Sequence, residues 1–428
     1  MDTICTQKSG RTTNQPVMNK KFLLTLCLLF IGTMGFSQEN TWDQKESFVI
    51  KRERSASFAI GGIGYVCAGL DSVVRNDLWQ YDPAFDAWTQ LADLPSTVRR
   101  NPVSFSINGK GYVGTGHSGQ YSSTGVNLKD FWEYDPILNS WVQKADYPGG
   151  GGNGVYFATG FATTSYGYIA CGKKAASTYA SDLWRYDPVA DSWLQRASFP
   201  GGERYNLMNF VINDTAYVGF GSDQDIFRKD LWAYDEISNS WQQRADCNGD
   251  ARAAGGSFTL NGRGFICCGV DGGFEEDLWE YDSAKDQWKI RAYFPTDGRR
   301  YGISFALNNK GYFGAGKGSF GKKRSFYEYF PMSQFGWMME ELNVNELNSS
   351  LVTVAPNPIE SSAIVSWDDA ISISHGTLYN MAGSNVGDFK ADGNQIKLDR
   401  SNHPSGMYLL TLFNQNNKAL LTKKISLK

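Results

Sequence analysis

One phrase recurs six times along this chain and limits what the chain can fold into. The clearest copies are Asp77-Leu78-Trp79-Gln80-Tyr81-Asp82-Pro83, Asp130-Phe131-Trp132-Glu133-Tyr134-Asp135-Pro136 and Asp182-Leu183-Trp184-Arg185-Tyr186-Asp187-Pro188. Two more begin at Asp230 and Asp277, and a worn copy reads Ser325-Phe326-Tyr327-Glu328-Tyr329. The aromatic third residue falls at 79, 132, 184, 232, 279 and 327, in steps of 53, 52, 48, 47 and 48. A period near fifty marks an array of one supersecondary unit.

Each unit reads as four short strands, a to d. In the second, residues 103–107 form an apolar strand that ends at Asn108-Gly109, a hairpin signal because both residues tolerate positive φ. Residues 111–116 form a small-residue strand, a variable loop follows, and then comes the Trp/Tyr strand. Asp135-Pro136 opens a turn before the strand at 141–145. Trp132 and Tyr134 share one face of strand c, with Phe131 and Glu133 on the other. One such sheet leaves its aromatic faces bare, whereas sheets repeated around an axis cover one another. The expected fold is all-β, a six-bladed propeller with Trp132 and Trp184 buried between blades beside Tyr134 and Tyr186.

These residues resemble kelch repeats: a small doublet ends strand b, an aspartate leads the Trp/Tyr strand, and a tryptophan follows nine residues on. The resemblance covers about residues 42–340. It departs from kelch at the doublet, which is Ala68-Gly69, Thr115-Gly116, Cys171-Gly172, Phe220-Gly221, Cys268-Gly269 and Ala315-Gly316 in place of Gly-Gly. Only the second glycine is kept. Strand d carries Trp88, Trp141, Trp193, Trp241 and Trp288, and two further tryptophans, Trp42 and Trp337, flank the array. Trp42-Asp43-Gln44-Lys45 is similar to Trp141-Val142-Gln143-Lys144 and is expected to complete the last blade, removing an open edge. The alternative is a sixth blade closed by its own Trp337 strand.

Both ends of the chain point to export. Lys20-Lys21 precede an apolar run over 22–36 with a small-residue exit, the pattern of a signal peptide. Residues 1–37 are read as that peptide, with Met18 as the true start. Without them the chain keeps 37 basic and 43 acidic residues, a net charge near −6, unsuited to polyanions. Residues 38–340 are read as the propeller and 341–350 as a linker. Residues 351–428 read as a small β-sandwich. This last segment carries Pro356-Asn357-Pro358, Tyr379-Asn380-Met381-Ala382-Gly383, Ser405-Gly406-Met407-Tyr408 and a final strand containing Lys423-Lys424. It resembles the C-terminal sorting domain of the type IX secretion system of Bacteroidetes. That implies passage through the outer membrane, with the type IX machinery as a partner, and display at the cell surface or release. No transmembrane span is expected.

The five cysteines past residue 37 are Cys67, Cys171, Cys247, Cys267 and Cys268, four of them in strand b, where they read as small packing residues. Galactose-oxidase-like kelch enzymes hold copper with two histidines and two tyrosines. Here His117 is the sole propeller histidine, an expected loop residue at the head of the longest b–c loop. The acidic loop 271–277 lacks the spacing of an EF-hand and reads as solvated charge. No catalytic residue, metal ligand or cofactor is assigned.

Two columns stand out. Phe58, Phe105, Phe161, Phe210, Phe258 and Phe305 recur in strand a, and six residues before them stand Arg52, Arg99, Val155, Arg204, Arg252 and Arg299. Either the arginines pair with Asp77, Asp130, Asp230 and Asp277 as staples, Asp182 having no arginine, or they ring a mouth that accepts anions. The ligand-contact candidates are Arg52, Arg99, Arg204, Arg252, Arg299 and His117. Trp79, Trp132, Trp184, Trp232, Trp279 and the five aspartates are expected to be structural. The functional expectation is a non-catalytic, surface-displayed binding module for glycan or protein. The alternative is a sugar mutarotase or epimerase of the sialic-acid type, which six-bladed kelch proteins can be. No nucleic-acid partner is expected.

Overall fold

The computed structural model describes residues from Glu39 to Lys428, apart from 122, 175–177, 225, 333–351, 368–371, 381–383, 401–402 and 417–418. The signal peptide, the linker and Trp337 lie outside the described residues.

Six four-stranded antiparallel sheets follow the repeat. Blade 1 is Ala56–Ile60, Ile63–Leu70, Val74–Asp82 and Ala87–Gln90. Blade 2 is Val103–Ile107, Lys110–Gly114, Phe131–Asp135 and Ser140–Lys144. Blade 3 is Thr159–Ala162, Gly167–Lys173, Tyr179–Asp187 and Ser192–Arg196. Blade 4 is Met208–Ile212, Thr215–Gly219, Leu231–Asp235 and Ser240–Arg244. Blade 5 is Gly256–Leu260, Arg263–Cys267, Leu278–Asp282 and Gln287–Ile290. Blade 6 is Ile303–Leu307, Lys310–Gly314 and Phe326–Phe330, and its outer strand is Thr41–Lys45. The a strands touch in cyclic order, 1 through 6 and back to 1, so the sheets close a ring.

Ring closure uses the N-terminal strand. Trp42 lies opposite Tyr329 in the ladder, and its chemistry repeats that of every strand-d tryptophan. The Trp141 indole donates to the Ala92 carbonyl at 2.9 Å, Trp193 to Ala145, Trp241 to Ala197 and Trp288 to Ala245. Trp42 donates to Ala292, and Trp88 to Glu46, just past the N-terminal strand. A second repeat runs beside it. The c-strand tyrosines Tyr81, Tyr134, Tyr186, Tyr234 and Tyr281 donate to the turn carboxylate or amide five residues on. Tyr329 donates to Asn40, just before the N-terminal strand, at 2.9 Å. Each strand d thus ties its blade to the one before it, and the first residues of the propeller supply the sixth tie.

The phenylalanine column packs into gaps left by glycine. Gly64, Gly111, Gly167, Gly264 and Gly311 in strand b lie against Phe305, Phe58, Phe105, Phe210 and Phe258 of the preceding blade, so close that a Cβ would fall 2.2–2.5 Å from a ring carbon. The six c-strand tyrosines are fully buried or nearly so. Trp79, Trp132, Trp184, Trp232 and Trp279 are only half-buried, which corrects the expectation for Trp132 and Trp184. Each indole N–H turns to the aspartate two residues back, at 2.6–2.8 Å, and the ring packs with one part exposed against the core of the preceding blade.

Residues 352–427 form two further sheets. One is three-stranded, Val352–Ala355, Ser362–Trp367 and Gln395–Asp399. The other runs Asn385–Lys390, His375–Asn380, Gly406–Phe413 and Ala419–Leu427. Val365, Ile396, Leu410, Leu412 and Ile425 are fully buried in their shared core, the β-sandwich expected from the turn pattern. Among the described residues no helix is long and apolar enough to cross a membrane.

Two stability measurements check the packing. Trp42→Ala removes the indole bond and the ring contacts with Phe294 and Tyr329, and is expected to lower stability by about 3 kcal/mol in urea unfolding. Unchanged unfolding would show that this strand does not close the ring. Gly111→Ala places a Cβ 2.2 Å from the Phe58 ring, for an expected loss of ~1–3 kcal/mol. Adding Phe58→Leu should recover part of that loss.

Candidate functional site

The d–a and b–c loops meet at one end of the axis, and the backbone there is built by two rings of inter-blade hydrogen bonds. In the first, the retained glycine after strand b donates its N–H to the neighbouring blade at the arginine column: Gly69 to the Arg99 carbonyl, Gly116 to Val155, Gly172 to Arg204, Gly221 to Arg252, Gly269 to Arg299 and Gly316 to Arg52, at 2.7–3.0 Å. These glycines have φ between +78° and +112°, and a Cβ at Gly116 or Gly316 would lie 2.7–2.9 Å from a carbonyl oxygen. That explains why only the second glycine of the kelch doublet is kept. The residue before it (Ala68, Thr115, Cys171, Phe220, Cys268 or Ala315) is also left-handed, φ +51° to +62°, without being glycine.

The arginines answer that geometry. Arg52, Arg99, Arg204, Arg252 and Arg299 each donate to the carbonyl of the left-handed residue, at 3.1–3.4 Å. Arg52 and Arg204 also grip both oxygens of Asp77 and Asp230 at 2.5–2.8 Å, and Arg252 grips Asp277 in the same way. Arg99 shares Asp130 with Ser96. Arg299 faces Ser325 and Thr296 instead. All five are buried, 4% exposed or less. The column is therefore taken up inside its blades by carboxylate, hydroxyl and carbonyl partners. The two irregular blades make sense on the same terms. Asp182 lacks an arginine but still receives the Trp184 indole at 2.7 Å. Ser325 stands where Tyr327 brings no indole that needs a carboxylate.

Burial would raise the Asp130 carboxyl, but the hydrogen bond and charge of Arg99, with Ser96 and Trp132, more than offset it and hold the group below its usual range. A depressed folded-state pKa stabilises fully above the ordinary carboxylate value of ~4, and the contribution is lost as pH falls through the folded value. Arg99→Gln should therefore move the acid-unfolding midpoint to higher pH, read by far-ultraviolet circular dichroism. An unmoved midpoint would remove the staple role.

His117 is not an exposed loop residue. It is 3% exposed, its Nδ1 accepts from the Gly119 N–H at 3.0 Å, and its ring lies 5.0 Å from Tyr156. Burial, then the Arg100 charge, keep it below its ordinary pKa. The five cysteines are free and buried, and burial raises Cys67, Cys171 and Cys247 above the ordinary thiol range. In the acidic loop, Asp271 and Glu275 meet Asp250 with carboxylate oxygens within 4.8 Å. Burial and the neighbouring carboxylates push Glu275 up to about 7 against the pull of Arg252, while Asp271 caps the Gly273 N–H.

The second backbone ring carries residues that the repeat did not reveal. Two positions past the arginine column stand Arg54, Asn101, Phe157, Asn206, Ala254 and Tyr301, all left-handed, φ +53° to +65°. Five of the six junctions between them carry an N–H to carbonyl bond around the axis, at 2.8–3.1 Å. Glycine or asparagine suits such a backbone best, and a bulky residue there is an outlier. Yet blades 1, 3 and 6 place Arg54, Phe157 and Tyr301 there. Their side chains converge across the ring: Phe157 stacks on Tyr301 at 5.6 Å, and Asn206 donates to the Tyr301 hydroxyl at 3.3 Å. Phe157, Tyr205 and Tyr301 are half-buried. Beside them Glu53 is buried, its Oε2 without a hydrogen bond, 3.7 Å from the Arg54 Nε. The available signal was the departure from repetition: the position next to the arginine column reads Glu53, Arg100, Tyr156, Tyr205, Ala253 and Arg300.

Comparison with known proteins accords with this architecture. Residues 51–95 match the kelch motif and residues 353–428 the secretion system C-terminal sorting domain. Kelch-like protein 25 of Xenopus tropicalis is 27% identical over 193 residues, 42% of this chain and 32% of that protein. The Kelch repeat and BTB domain-containing protein 1 of vaccinia virus (strain Copenhagen) is 30% identical over 106 residues, 23% of this chain and 19% of the relative. The chain thus spans a third or less of the length of these curated relatives. The solved structure of YjhT superposes with a TM-score of 0.55 at 18% identity, covering 66% of this chain and 96% of that one, a likeness of fold. The chain is a kelch-repeat β-propeller that carries a sorting domain, and that domain directs type IX secretion to the cell surface or outside.

Proposed function

We propose that the propeller, residues 38–340, is a binding module displayed by its sorting domain, residues 351–428, and that it takes a glycan or protein at the d–a-loop end of its axis. The observation that carries this reading is the set of bulky residues in left-handed backbone. Arg54, Phe157 and Tyr301 sit where asparagine would fit with less strain, as Asn101 and Asn206 do. Strain of ~1–3 kcal/mol per residue is held at sites where the side chain has a task. Half-buried aromatic faces beside amide and hydroxyl groups suit a sugar ring, and this favours glycan over protein.

A second reading, sugar mutarotase or epimerase, is favoured by Glu53. It is a buried carboxylate with an oxygen lacking a hydrogen bond, 3.7 Å from the Arg54 Nε at the axial end.

Two assays test these readings on the full chain. A glycan array and an immobilised surface-protein panel should show retained ligands that Tyr301→Ala abolishes while the melting temperature holds. Retention of nothing by either would remove the binding reading. Polarimetry of fresh sugar anomers separates the second, since a rate raised by the wild type and lost in Glu53→Gln would establish catalysis.

A further inference from the structure

Three guanidinium groups at the axial end are not used by the blades. Arg54, Arg100 and Arg300 come from blades 1, 2 and 6, which are neighbours around the ring, and they share one aromatic patch. The Arg54 guanidinium carbon lies 4.8 Å from the Tyr301 ring centre and 5.5 Å from that of Phe157. The Arg300 carbon lies 5.2 Å from Tyr301. The Arg100 carbon lies 5.5 Å from Tyr156, whose ring meets Phe157 at 4.8 Å.

One of the three, Arg100, is buried, and Arg54 and Arg300 beside it are half-buried. Arg100 is 1% exposed, and its hydrogen bonds go to the Gly119 carbonyl at 2.7 Å and the Asn101 Oδ1 at 3.2 Å, both uncharged. Burial, then the Arg54 charge, lower its pKa. The Arg300 side chain makes no hydrogen bond or ion pair among the described residues, and its buried Nε is without an acceptor. Arg54 approaches a carboxylate only at Glu53, 3.7 Å away, too far for a hydrogen bond. The arginine column shows the contrast: four of its five guanidinium groups hold an aspartate directly. A desolvated cation without a counter-charge is strongly unfavourable, and around this patch three guanidinium groups, one of them desolvated, face a single nearby carboxylate, Glu53, an excess of positive charge that an anion from outside would balance.

We propose that Arg54 and Arg300, backed by the buried charge of Arg100, form the seat for the carboxylate of a uronic-acid-type sugar, whose ring packs beside Phe157 and Tyr301. The planar guanidinium fork matches a carboxylate in two parallel hydrogen bonds, and the aromatic faces take the C–H face of a pyranose. The assignment rests on the glycan reading above and narrows it to one charge class.

The test uses the full chain, with D-glucuronate, D-glucose, glucose 6-sulfate and a glutamate-rich peptide as probes in calorimetric titration. Glucuronate is expected to bind and glucose not, with the affinity falling as sodium chloride rises. Arg300→Gln and Arg54→Gln should each weaken glucuronate at least tenfold. The Arg300 side chain makes no hydrogen bond or ion pair among the described residues, so the melting temperature of its variant should stay close to the wild-type value. Equal binding of glucose, binding of the sulfate or the peptide alone, or glucuronate affinity untouched in both variants would overturn the seat. If neutral glycans from the array still bind both variants, the binding-module reading stands and only the carboxylate seat fails. If the chain retains no glycan or protein at all, both fail.

Discussion

The six hydrogen bonds from the strand-b glycines to the arginine-column carbonyls are the constraint on which the mouth depends. Each one crosses from one blade to the next, so the loop end of the axis is a closed backbone circuit rather than six independent loops. The donor must be left-handed and must lack a Cβ, which leaves glycine. The residue before it is also left-handed, and in five of the six blades its carbonyl accepts from the arginine. The aspartate then neutralises the arginine and takes the indole of the c-strand tryptophan. One backbone requirement thus generates four side-chain columns.

At the outer edge a different circuit does the same work. The strand-d indoles and the turn Asx residues link each blade to its predecessor, and in the sixth position the tie comes from Asn40 and Trp42 at the N-terminal end of the propeller. The ring is closed without a disulfide. Its cysteines are small apolar fillers in strand b, where burial keeps the thiols protonated.

Arginine plays two opposed parts here, often in adjacent positions. In Arg99-Arg100 and Arg299-Arg300 the first residue turns into its blade and the second toward the axis. The first kind is held by hydrogen bonds inside its blade and recurs with the repeat, as structural residues do. The second kind makes no ion pair, is irregular from blade to blade, and lies beside aromatic rings, next to the left-handed Asn101 and Tyr301. The change from repeating to irregular residues within two positions of sequence marks where the scaffold ends and the site begins.

The repeat by itself determined the all-β class, six blades and the strand order within each blade, and it narrowed ring closure to Trp42 or Trp337. All of these depend on local spacing and on residues that recur. The pairing of arginine with aspartate was also readable as one of two options, because both columns were visible. What the tertiary structure alone decided is which option holds and where the site lies. Half-burial of the c-strand tryptophans follows from the indole–aspartate bond, which alternation along a strand does not encode. Burial of His117 follows from its loop folding back over it. Arg54, Arg100, Phe157 and Tyr301 lie far apart in sequence and differ in type at equivalent positions, so no period reports them. They become neighbours only because the ring closes and its left-handed backbone aims all of them at one axis.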